Sequence, residues 1–360
     1  MSSPARRRPW LPLLLLALPL AACVPGHTAT TGALPLQIRS SSGLDLAHPR
    51  RASLQVQVGA DRLLPLPDGG TAFRAIDDLL RAARHSIELE MYELQRDDLV
   101  QLLLEAHERG VDVTAIRDPT EGSSAARWDE LSHGGVRVLA FPVEARSIDH
   151  VKLLIVDHVR AVVGGINWGR RSIDNRDYDL LATGPVVQNL ERVFVEDEAL
   201  AGEPVVIPGP SPDAGVRVLV TRPGREIRDT ILAAIADSRR SIEIEMFVLS
   251  DRVVVEALVG ALRRGVRVRA LLEPTQAQNT TSMALLRGSG ARVDFFIPVA
   301  GEKLHAKLGI FDGAMVIFGS CNWSHSGFTA NHELDLAITS PALAARFLQA
   351  VVADWQAAAA

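Results

Sequence analysis

The sequence predicts an α/β protein built from two repeat-related halves, in each of which helices cover a sheet. Three observations support this fold class. The 360 residues are 47% hydrophobic and 22% charged, a composition typical of globular domains. The chain repeats itself over a long distance, and within each copy strand patterns alternate with helix patterns. We expect the two copies to pack about an approximate two-fold axis.

The internal repeat has a constant offset of 155 residues. Residues 86–92 (SIELEMY) recur as residues 241–247 (SIEIEMF), and His150 recurs as His305. Copies of about 150 residues are too long to be the units of a solenoid. Each copy is therefore predicted to be a domain or half-domain.

The order of elements is clearest in the first copy. The helical periodicity of apolar residues predicts helices over 73–83 and 97–109, and Gly110 ends the second of these. Residues 86–92 and 111–116 have the pattern of strands. Strands that alternate with helices indicate a sheet covered by helices.

The chain divides into five predicted segments. The repeat determines which residues belong to each half, and prolines and glycines accumulate in the linker between them. The segments are a signal peptide (1–23), a flexible tether (24–52), the first half (53–202), the linker (203–215) and the second half (216–360).

The N-terminus has the pattern of an export signal. Three arginines (6–8) precede an apolar run over 10–22 that is too short to span a bilayer as a helix. Residues 20–23 (LAAC) resemble the bacterial lipobox, in which the cysteine is lipidated and becomes the mature N-terminus. We therefore expect an exported protein, anchored to the cell envelope through Cys23 on the periplasmic or outer-surface side. The alternative is an ordinary signal peptide that contains a cysteine.

The residues that carry chemistry form the same pattern in both copies, with identical spacing. The pattern is His-x-Lys, an aspartate five positions later, and an asparagine ten positions after that. It comprises His150, Lys152, Asp157 and Asn167, then His305, Lys307, Asp312 and Asn322.

This doubled pattern resembles the HxKxxxxD motif of the phospholipase D superfamily, over roughly residues 60–355. The resemblance implies two α-β-α halves with mixed sheets flanked by helices, and one active site shared between them. One chain would then suffice for a complete site.

Lysine usage supports the importance of the motif. The chain has only three lysines, Lys152, Lys303 and Lys307, and two of them lie in the paired motifs. All other basic side chains, apart from histidines, are arginines. This indicates that a compact ammonium is needed beside each histidine, where a planar guanidinium would not substitute.

The residue types fit metal-free chemistry on a phosphodiester. A His-x-Lys pair on a strand places both side chains on one face, where they can bind one phosphate. Fixed cations and the amides of Asn167 and Asn322 would stabilise the charge that grows in the transition state. No metal and no cofactor is therefore expected. The resemblance implies that His150 attacks phosphorus to form a phosphohistidine, while His305 acts as acid and base.

Carboxylates are expected to orient the two imidazoles, as in catalytic triads. The resemblance points to Glu333, which we expect to hold the histidine of its own motif, and to Asp177 in the first copy. The first copy is one residue shorter here, so Asp179 is an alternative to Asp177. The motif aspartates Asp157 and Asp312 are interpreted as structural residues that hold a turn.

Four further residues near these motifs have less specific patterns. Glu90 and Glu245 occupy matching strand positions, where a salt bridge near the cleft is expected. His325 and His332 have no repeat partner, and we treat them as surface or core residues that could contact substrate.

The resemblance leaves several substrates open. Members of the superfamily hydrolyse phospholipid headgroups, transfer phosphatidyl groups to alcohols, or cut nucleic acids. Loss of the three N-terminal arginines would lower the formal charge from −5 to −8, which favours a phospholipid over nucleic acid. The alternatives are an extracytoplasmic nuclease and an inactive scaffold that binds phosphate or lipid.

Overall fold

The computed structural model describes residues 54–221, 224–298 and 301–358. The predicted signal peptide, Cys23 and the tether lie outside the described residues. The first half forms an eight-stranded mixed sheet with the order β1-β2-β8-β7-β6-β3-β4-β5. Its strands are β1 (Val56–Val58), β2 (Asp61–Leu66), β3 (Ser86–Met91), β4 (Asp112–Arg117), β5 (Arg137–Ala140), β6 (Lys152–Val156), β7 (Arg160–Gly164) and β8 (Asp179–Thr183).

The second half repeats this arrangement in a seven-stranded sheet, with the order β12-β11-β10-β13-β14-β15-β9. Its strands are β9 (Arg217–Val220), β10 (Ser241–Met246), β11 (Arg267–Leu272), β12 (Arg292–Phe295), β13 (Lys307–Phe311), β14 (Met315–Gly319) and β15 (Leu334–Thr339).

Nine helices accompany the two sheets in the described part of the chain. Those of the first half are α1 (Gly69–Ala82), α2 (Asp97–Glu108), α3 (Ala125–His133) and α4 (Pro185–Leu200). Those of the second half are α5 (Glu226–Asp237), α6 (Arg252–Arg263), α7 (Gln278–Gly288), α8 (His325–Thr329) and α9 (Pro341–Ala358). None of these helices combines the length and the apolar character that a bilayer span requires.

The start of α1 differs from the prediction by four residues. The sequence pattern begins the helix at Phe73, whereas the structure begins it at Gly69. The side chain of Asp68 accepts a hydrogen bond of 2.7 Å from the backbone N–H of Thr71, which is the geometry of an N-cap. The cap offsets the low helix propensity of Gly69 and Gly70, which sequence patterns assign to turns.

Strand pairing shows that the two halves have the same topology. In the first half β3 pairs in parallel with β4 and antiparallel with β6, which places Met91 opposite Lys152. In the second half β10 pairs in the same way with β11 and β13, which places Met246 opposite Lys307. The predicted fold class, two repeat-related α/β halves with mixed sheets flanked by helices, is confirmed.

A shared hydrophobic core joins the two halves. It includes Leu153 and Ile155 from β6 together with Leu308 and Ile310 from β13, all fully buried. Helices α4 and α9 also contribute to this core, and each half has a second core of its own. Because both motif strands face the same core, the segments that enter them are brought together.

The segment between the halves has little regular structure. Residues 201–216 form neither a helix nor an extended strand, apart from an isolated bridge between Ala214 and Gly59. The amide of Gly215 also donates a hydrogen bond of 2.7 Å to Asp61. The segment predicted as a linker therefore runs along the first half before β9 begins.

The motif aspartates lie in tight turns at the ends of β6 and β13, away from the histidines. Both adopt left-handed backbone conformations, with φ of 54° at Asp157 and 53° at Asp312. The carboxylate of Asp157 accepts hydrogen bonds from the three consecutive backbone amides of residues 84–86. Asp312 does the same with residues 239–241. Each aspartate thus ties the end of a motif strand to the start of its neighbouring strand, β3 or β10.

Candidate active site

The two His-Lys pairs lie at the entrances to β6 and β13. His150 is buried, and Lys152 is the first residue of β6. The ammonium of Lys152 donates a hydrogen bond to the backbone oxygen of His150. In the second half Lys307 donates to the backbone oxygen of His305, and its Nζ lies 2.9 Å from Nδ1 and 3.1 Å from Nε2 of that histidine. Each lysine is therefore held against its own histidine.

The carboxylates that orient the imidazoles are exchanged between the halves. Glu333, which precedes β15, lies 2.8 Å from Nδ1 of His150. Asp177, which precedes β8, lies 2.7 Å from Nδ1 of His305. A carboxylate at Nδ1 fixes that nitrogen as the N–H donor and leaves Nε2 as the reactive nitrogen.

The expectation that Glu333 orients the histidine of its own motif is therefore wrong. The backbone explains the exchange, because the chain segments cross at the junction of the halves. The amide of His150 donates to the carbonyl of His332 at 2.8 Å, and the amide of His305 donates to the carbonyl of Arg176 at 2.8 Å. Each motif histidine is thus hydrogen-bonded to a chain segment of the opposite half.

The side chains around Asp177 differ from those around Glu333. The difference allows each carboxylate to reach its histidine, although the first copy is one residue shorter. The hydroxyl of Ser320 donates a hydrogen bond of 2.6 Å to Glu333, and Asn331 donates another of 2.9 Å. The residue that matches Ser320 in the first half is Gly165, and a Cβ atom there would overlap with the carboxylate of Asp177. The glycine therefore makes room for the shorter aspartate.

The alternative carboxylate Asp179 lies elsewhere. Asp179 and its counterpart Asp335 are buried and accept hydrogen bonds from the backbone amides of Ile166 and Cys321, at 3.3 and 3.0 Å. Burial raises the pKa of both aspartates well above its usual range. These residues hold the loops after β7 and β14.

The asparagines occupy those same two loops. The Oδ1 atoms of Asn167 and Asn322 have no hydrogen-bond partner within the described residues. The amide of Asn167 reaches Glu93, which lies close enough to Lys152 for the ammonium to favour the ionised carboxylate. Burial nevertheless raises the pKa of Glu93. Glu93 is a carboxylate at the first-half side of the site that the sequence did not reveal.

An aromatic residue packs against each histidine. The ring of Tyr92 lies edge-on to His150 at 5.1 Å, and the ring of Phe247 lies 4.8 Å from His305. The same rings lie 5.1 Å from Lys152 Nζ and 5.3 Å from Lys307 Nζ. Sequence reasoning did not assign them to the site, although their matching positions after β3 and β10 carried the signal.

A second pair missed by sequence reasoning anchors the segments before the histidines. Asp118 follows β4 and accepts a hydrogen bond of 2.6 Å from the amide of Asp149. Glu273 follows β11 and accepts one of 2.9 Å from the amide of Leu304. These matching acids hold the residue that directly precedes each motif histidine.

Burial lowers the pKa values of the histidines and lysines in the site. Burial and the nearby Lys307 lower the pKa of His305 to about 4, and burial also lowers that of His150 despite the opposing effect of Glu333. Burial lowers the pKa of Lys152 to about 7 and that of Lys307 to about 8. Because a bound anion favours the protonated forms, the site is suited to take up protons when a phosphodiester enters.

Three further expectations from the sequence need correction or refinement. His332 is buried and pairs with Asp197 at 3.0 Å, so it lies beneath the site and away from substrate. The salt bridges expected at Glu90 and Glu245 are wrong, because neither forms an ion pair within the described part of the chain, and Glu245 accepts a hydrogen bond from Tyr178 instead. His325 begins helix α8 and is exposed.

Comparison with known proteins agrees with this geometry. The profile of the family described as "Cardiolipin synthase, PLD-like domain" matches residues 76–197 and 231–355, which together make up more than half of the chain. Cardiolipin synthase A of Pseudomonas syringae pv. syringae is 27% identical over 328 residues, covering 81% of this chain and 67% of the relative. Cardiolipin synthase 2 of Bacillus cereus is 27% identical over 308 residues, covering 75% and 60%. The chain thus spans about two thirds of the length of these relatives.

Solved structures share the fold at low sequence identity. Phosphatidylserine synthase of Haemophilus influenzae Rd KW20 aligns with a TM-score of 0.64 at 12% identity, covering 83% of this chain and 87% of that chain. Polyphosphate kinase of Porphyromonas gingivalis aligns with a TM-score of 0.59 at 17% identity, covering 81% and 46%. With two His-Lys pairs facing one another across a doubled α/β fold, and with a family profile that matches both halves, the chain belongs to the phospholipase D family of phosphodiesterases and phosphatidyltransferases.

Proposed function

We propose that this protein is a metal-independent phosphodiesterase that acts on phospholipids, by hydrolysis or by phosphatidyl transfer, through a phosphohistidine intermediate. The observation that carries the proposal is the pairing of each imidazole Nδ1 with a carboxylate of the opposite half. This arrangement directs two Nε2 atoms and two ammonium groups toward one site, which matches the needs of a double displacement at phosphorus.

In the first step Nε2 of His150 attacks phosphorus, and the bond from phosphorus to the leaving alcohol oxygen breaks. His305, protonated when the phosphodiester anion binds, gives its Nε2 proton to that oxygen. Glu333 stabilises the positive charge that forms on His150. Lys152 and Lys307 offset the negative charge on the phosphoryl oxygens.

In the second step His305 removes a proton from water or from an acceptor alcohol, which then attacks phosphorus. The bond between phosphorus and His150 breaks, and both histidines return to their starting states. Water gives hydrolysis, whereas an alcohol gives phosphatidyl transfer. The relatives named cardiolipin synthase favour transfer between phospholipids as the principal reaction.

A phospholipid substrate is favoured by these relatives and by the sequence of the N-terminus. The net formal charge of −5 does not favour a broad nucleic-acid surface. Residues 20–23 support lipidation at Cys23, and with it an exported protein held on the cell envelope. An anchored enzyme would meet its substrate in the membrane surface.

The proposal is tested by a parallel product assay. Phosphatidylglycerol, phosphatidylcholine and plasmid DNA are incubated with the full chain in the presence of EDTA, and lipid products are separated by mass. We expect a two-phosphate lipid or phosphatidic acid from the phospholipids, and intact plasmid. His150→Ala should abolish product, whereas His133→Ala, which changes an exposed histidine of helix α3, should not. Cleaved plasmid with unchanged lipid would establish the nuclease alternative. Product from neither substrate would support the inactive scaffold.

A further inference from the structure

A buried acidic cluster lies at the junction of the halves, outside the proposed catalytic groups. We define the acidic cluster by four residues, which are Glu90 on β3, Asp149 before β6, Asp197 on α4 and His332 before β15. All four residues are almost completely buried. The nearest ligand atoms of Glu90, Asp197 and His332 all lie within 4.8 Å of one another.

The acidic cluster contains three carboxyl groups but a single group that can carry positive charge, His332, which pairs with Asp197. The fully buried carboxyl group of Glu90 has no N–H or hydroxyl donor among the described residues, and it lies within hydrogen-bond reach of the carboxyl groups of Asp149 and Asp197. Oδ2 of Asp149 and Nδ1 of His332 are also unpartnered there. Burial, with the nearby carboxylates of Asp197 and Asp149, raises the pKa of Glu90 well above its usual range. Buried carboxyl groups this close together are costly unless they share protons or a bound cation offsets their charge.

The repeat-related group, which also takes residues from both halves, contains a permanent cation of its own. Glu245 matches Glu90 in the repeat, and Tyr178 donates a hydrogen bond of 2.7 Å to it. Arg176, which matches His332, forms an ion pair of 2.8 Å with Asp354 on helix α9. We call Arg176, Tyr178, Glu245 and Asp354 the arginine cluster. Asp354 has a permanent guanidinium as its partner and Glu245 a phenol, although Oε1 of Glu245 has no hydrogen-bond partner among the described residues.

Three exchanges turn one cluster into the other. The acidic cluster has His332 in place of Arg176, and Leu334 in place of Tyr178. It also has Asp149 where the other half has Leu304. The acidic cluster has therefore lost a fixed cation and a donor and has gained a carboxylate.

From this asymmetry we propose that the acidic cluster is a structural binding site for a divalent transition-metal ion, with Glu90, Asp197 and His332 as ligands and Asp149 as a further oxygen donor. One imidazole and several carboxylates form a donor set suited to Zn²⁺ or Mn²⁺. Oδ2 of Asp197 and Nε2 of His332 lie 3.0 Å apart, close to the separation of about 3.4 Å between two ligands of a tetrahedral ion. The ion takes the place of the guanidinium of Arg176.

The site is separate from the reacting groups and does not rest on the proposed function. It is connected to them through the backbone, where the carbonyl of His332 accepts a hydrogen bond from the amide of His150. Its role is to hold β3, α4 and the segment before β15 together across the junction. Metal content and thermal stability, rather than turnover, are therefore the proper readouts.

The test uses full-length protein purified without a polyhistidine tag, stripped with chelator and dialysed. ZnCl₂ and MnCl₂ are titrated by calorimetry, and Tm is followed in parallel. We expect about one ion per chain with a rise in Tm, and binding weaker by at least about tenfold in Glu90→Gln. Glu245→Gln, the matched change in the arginine cluster, should bind the metal like the wild type.

A second variant covers the case in which Glu90→Gln does not fold. His332→Arg copies the cation of the arginine cluster, so it should fold without metal, melt at a higher temperature than the stripped wild type, and bind no ion. Wild-type metal binding by His332→Arg would place the ion elsewhere and overturn the proposal. Failure of both metals to bind the wild type or to raise its Tm would also overturn it, and would show that shared protons compensate the cluster.

Discussion

The carboxylate of Glu333 in the second half lies 2.8 Å from Nδ1 of His150 in the first half. Asp177 and His305 form the reciprocal pair at 2.7 Å. Each motif histidine therefore has its orienting carboxylate in the opposite half. Since each pair spans the junction, correct docking of the two halves is a condition for orienting both histidines.

The first prediction concerns this exchange. Glu333→Gln should disturb His150, and Asp177→Asn should disturb His305, because each carboxylate orients the imidazole of the other half. With His150 as the nucleophile, Glu333→Gln should slow formation of the histidine adduct, and Asp177→Asn should slow its breakdown. We expect losses in kcat of about 10²- to 10⁴-fold.

Rapid-quench kinetics with a labelled phosphodiester separates these two steps. The reverse assignment, with Glu333→Gln affecting only breakdown, would contradict the crossed geometry or the choice of nucleophile. Asp179→Asn is a useful comparison because Asp179 accepts a backbone amide and contacts neither histidine. It should act mainly on Tm.

The second prediction concerns the lysines. Lys152→Arg and Lys307→Arg should each lower kcat by about 10²- to 10³-fold, although the formal charge is unchanged. Both ammonium groups are buried and hydrogen-bonded to the backbone beside a histidine, where a larger planar fork does not fit. Steady-state kinetics provides the measurement.

The third lysine supplies the control. Lys303→Arg changes an exposed side chain and should keep activity within about twofold. Near-normal activity in Lys152→Arg or Lys307→Arg would show that the site needs positive charge alone.

The third prediction is a bell-shaped pH profile of kcat/KM. Its acid limb should lie below about pH 6.5, because the pKa of His150 is lowered and the nucleophile must be neutral. On the alkaline side activity should begin to fall below pH 7, because the acid His305 has a pKa of about 4 before substrate binds. Two alkaline transitions should follow near pH 7 and pH 8, because rising pH removes protons from Lys152 and Lys307, whose pKa values are about 7 and about 8. Initial rates at substrate concentrations far below KM measure this profile.

Activity should fall as pH rises because the substrate phosphate is negatively charged. Deprotonated lysines cannot offset the charge on the phosphoryl oxygens, so activity falls as pH rises. Lys152→Arg should lose the lower of the two alkaline transitions in its residual activity, because a guanidinium stays protonated in this range. A wild-type profile that stays flat up to pH 9 would rule out this role for the lysines.

The fourth prediction concerns anchoring. Mature wild-type protein should sediment with membranes, and Cys23→Ser should release the protein or block its processing, because serine cannot carry a thioether-linked lipid. Fractionation with an antibody against the folded part gives the readout, and Cys321→Ser serves as the matched control at a buried cysteine outside the signal. A processed Cys23→Ser protein that remains on membranes would refute the lipobox interpretation.

The repeat in the sequence was sufficient to predict the doubled α/β fold and the two His-Lys pairs. Its constant offset reflects matching strands, such as β3 with β10, whose residues keep the same register against the motif strands. The histidine that Glu333 orients could not be predicted, because spacing along the chain does not show on which side of the junction a side chain lies. The acidic cluster was hidden for the same reason, since Glu90, Asp197 and His332 are distant in sequence.

The last prediction assigns the two histidines. The sequence resemblance implies that His150 attacks phosphorus, and the structure leaves Glu333 in place to orient His150 when His305 is removed. With a labelled p-nitrophenyl phosphodiester, whose leaving group needs no proton, His305→Ala should still form an adduct on His150. The adduct should accumulate, because no base activates the incoming water.

His150→Ala should accumulate no adduct with any substrate, and this difference decides the assignment. The label should be acid-labile and should map to the peptide that contains His150 after mild digestion. Label on His305 in the His150→Ala protein would reverse the two roles. Absence of label in both variants, with turnover still present in the wild type, would instead favour direct attack by water. In that case the crossed carboxylates would orient two imidazoles that act only as acid and base.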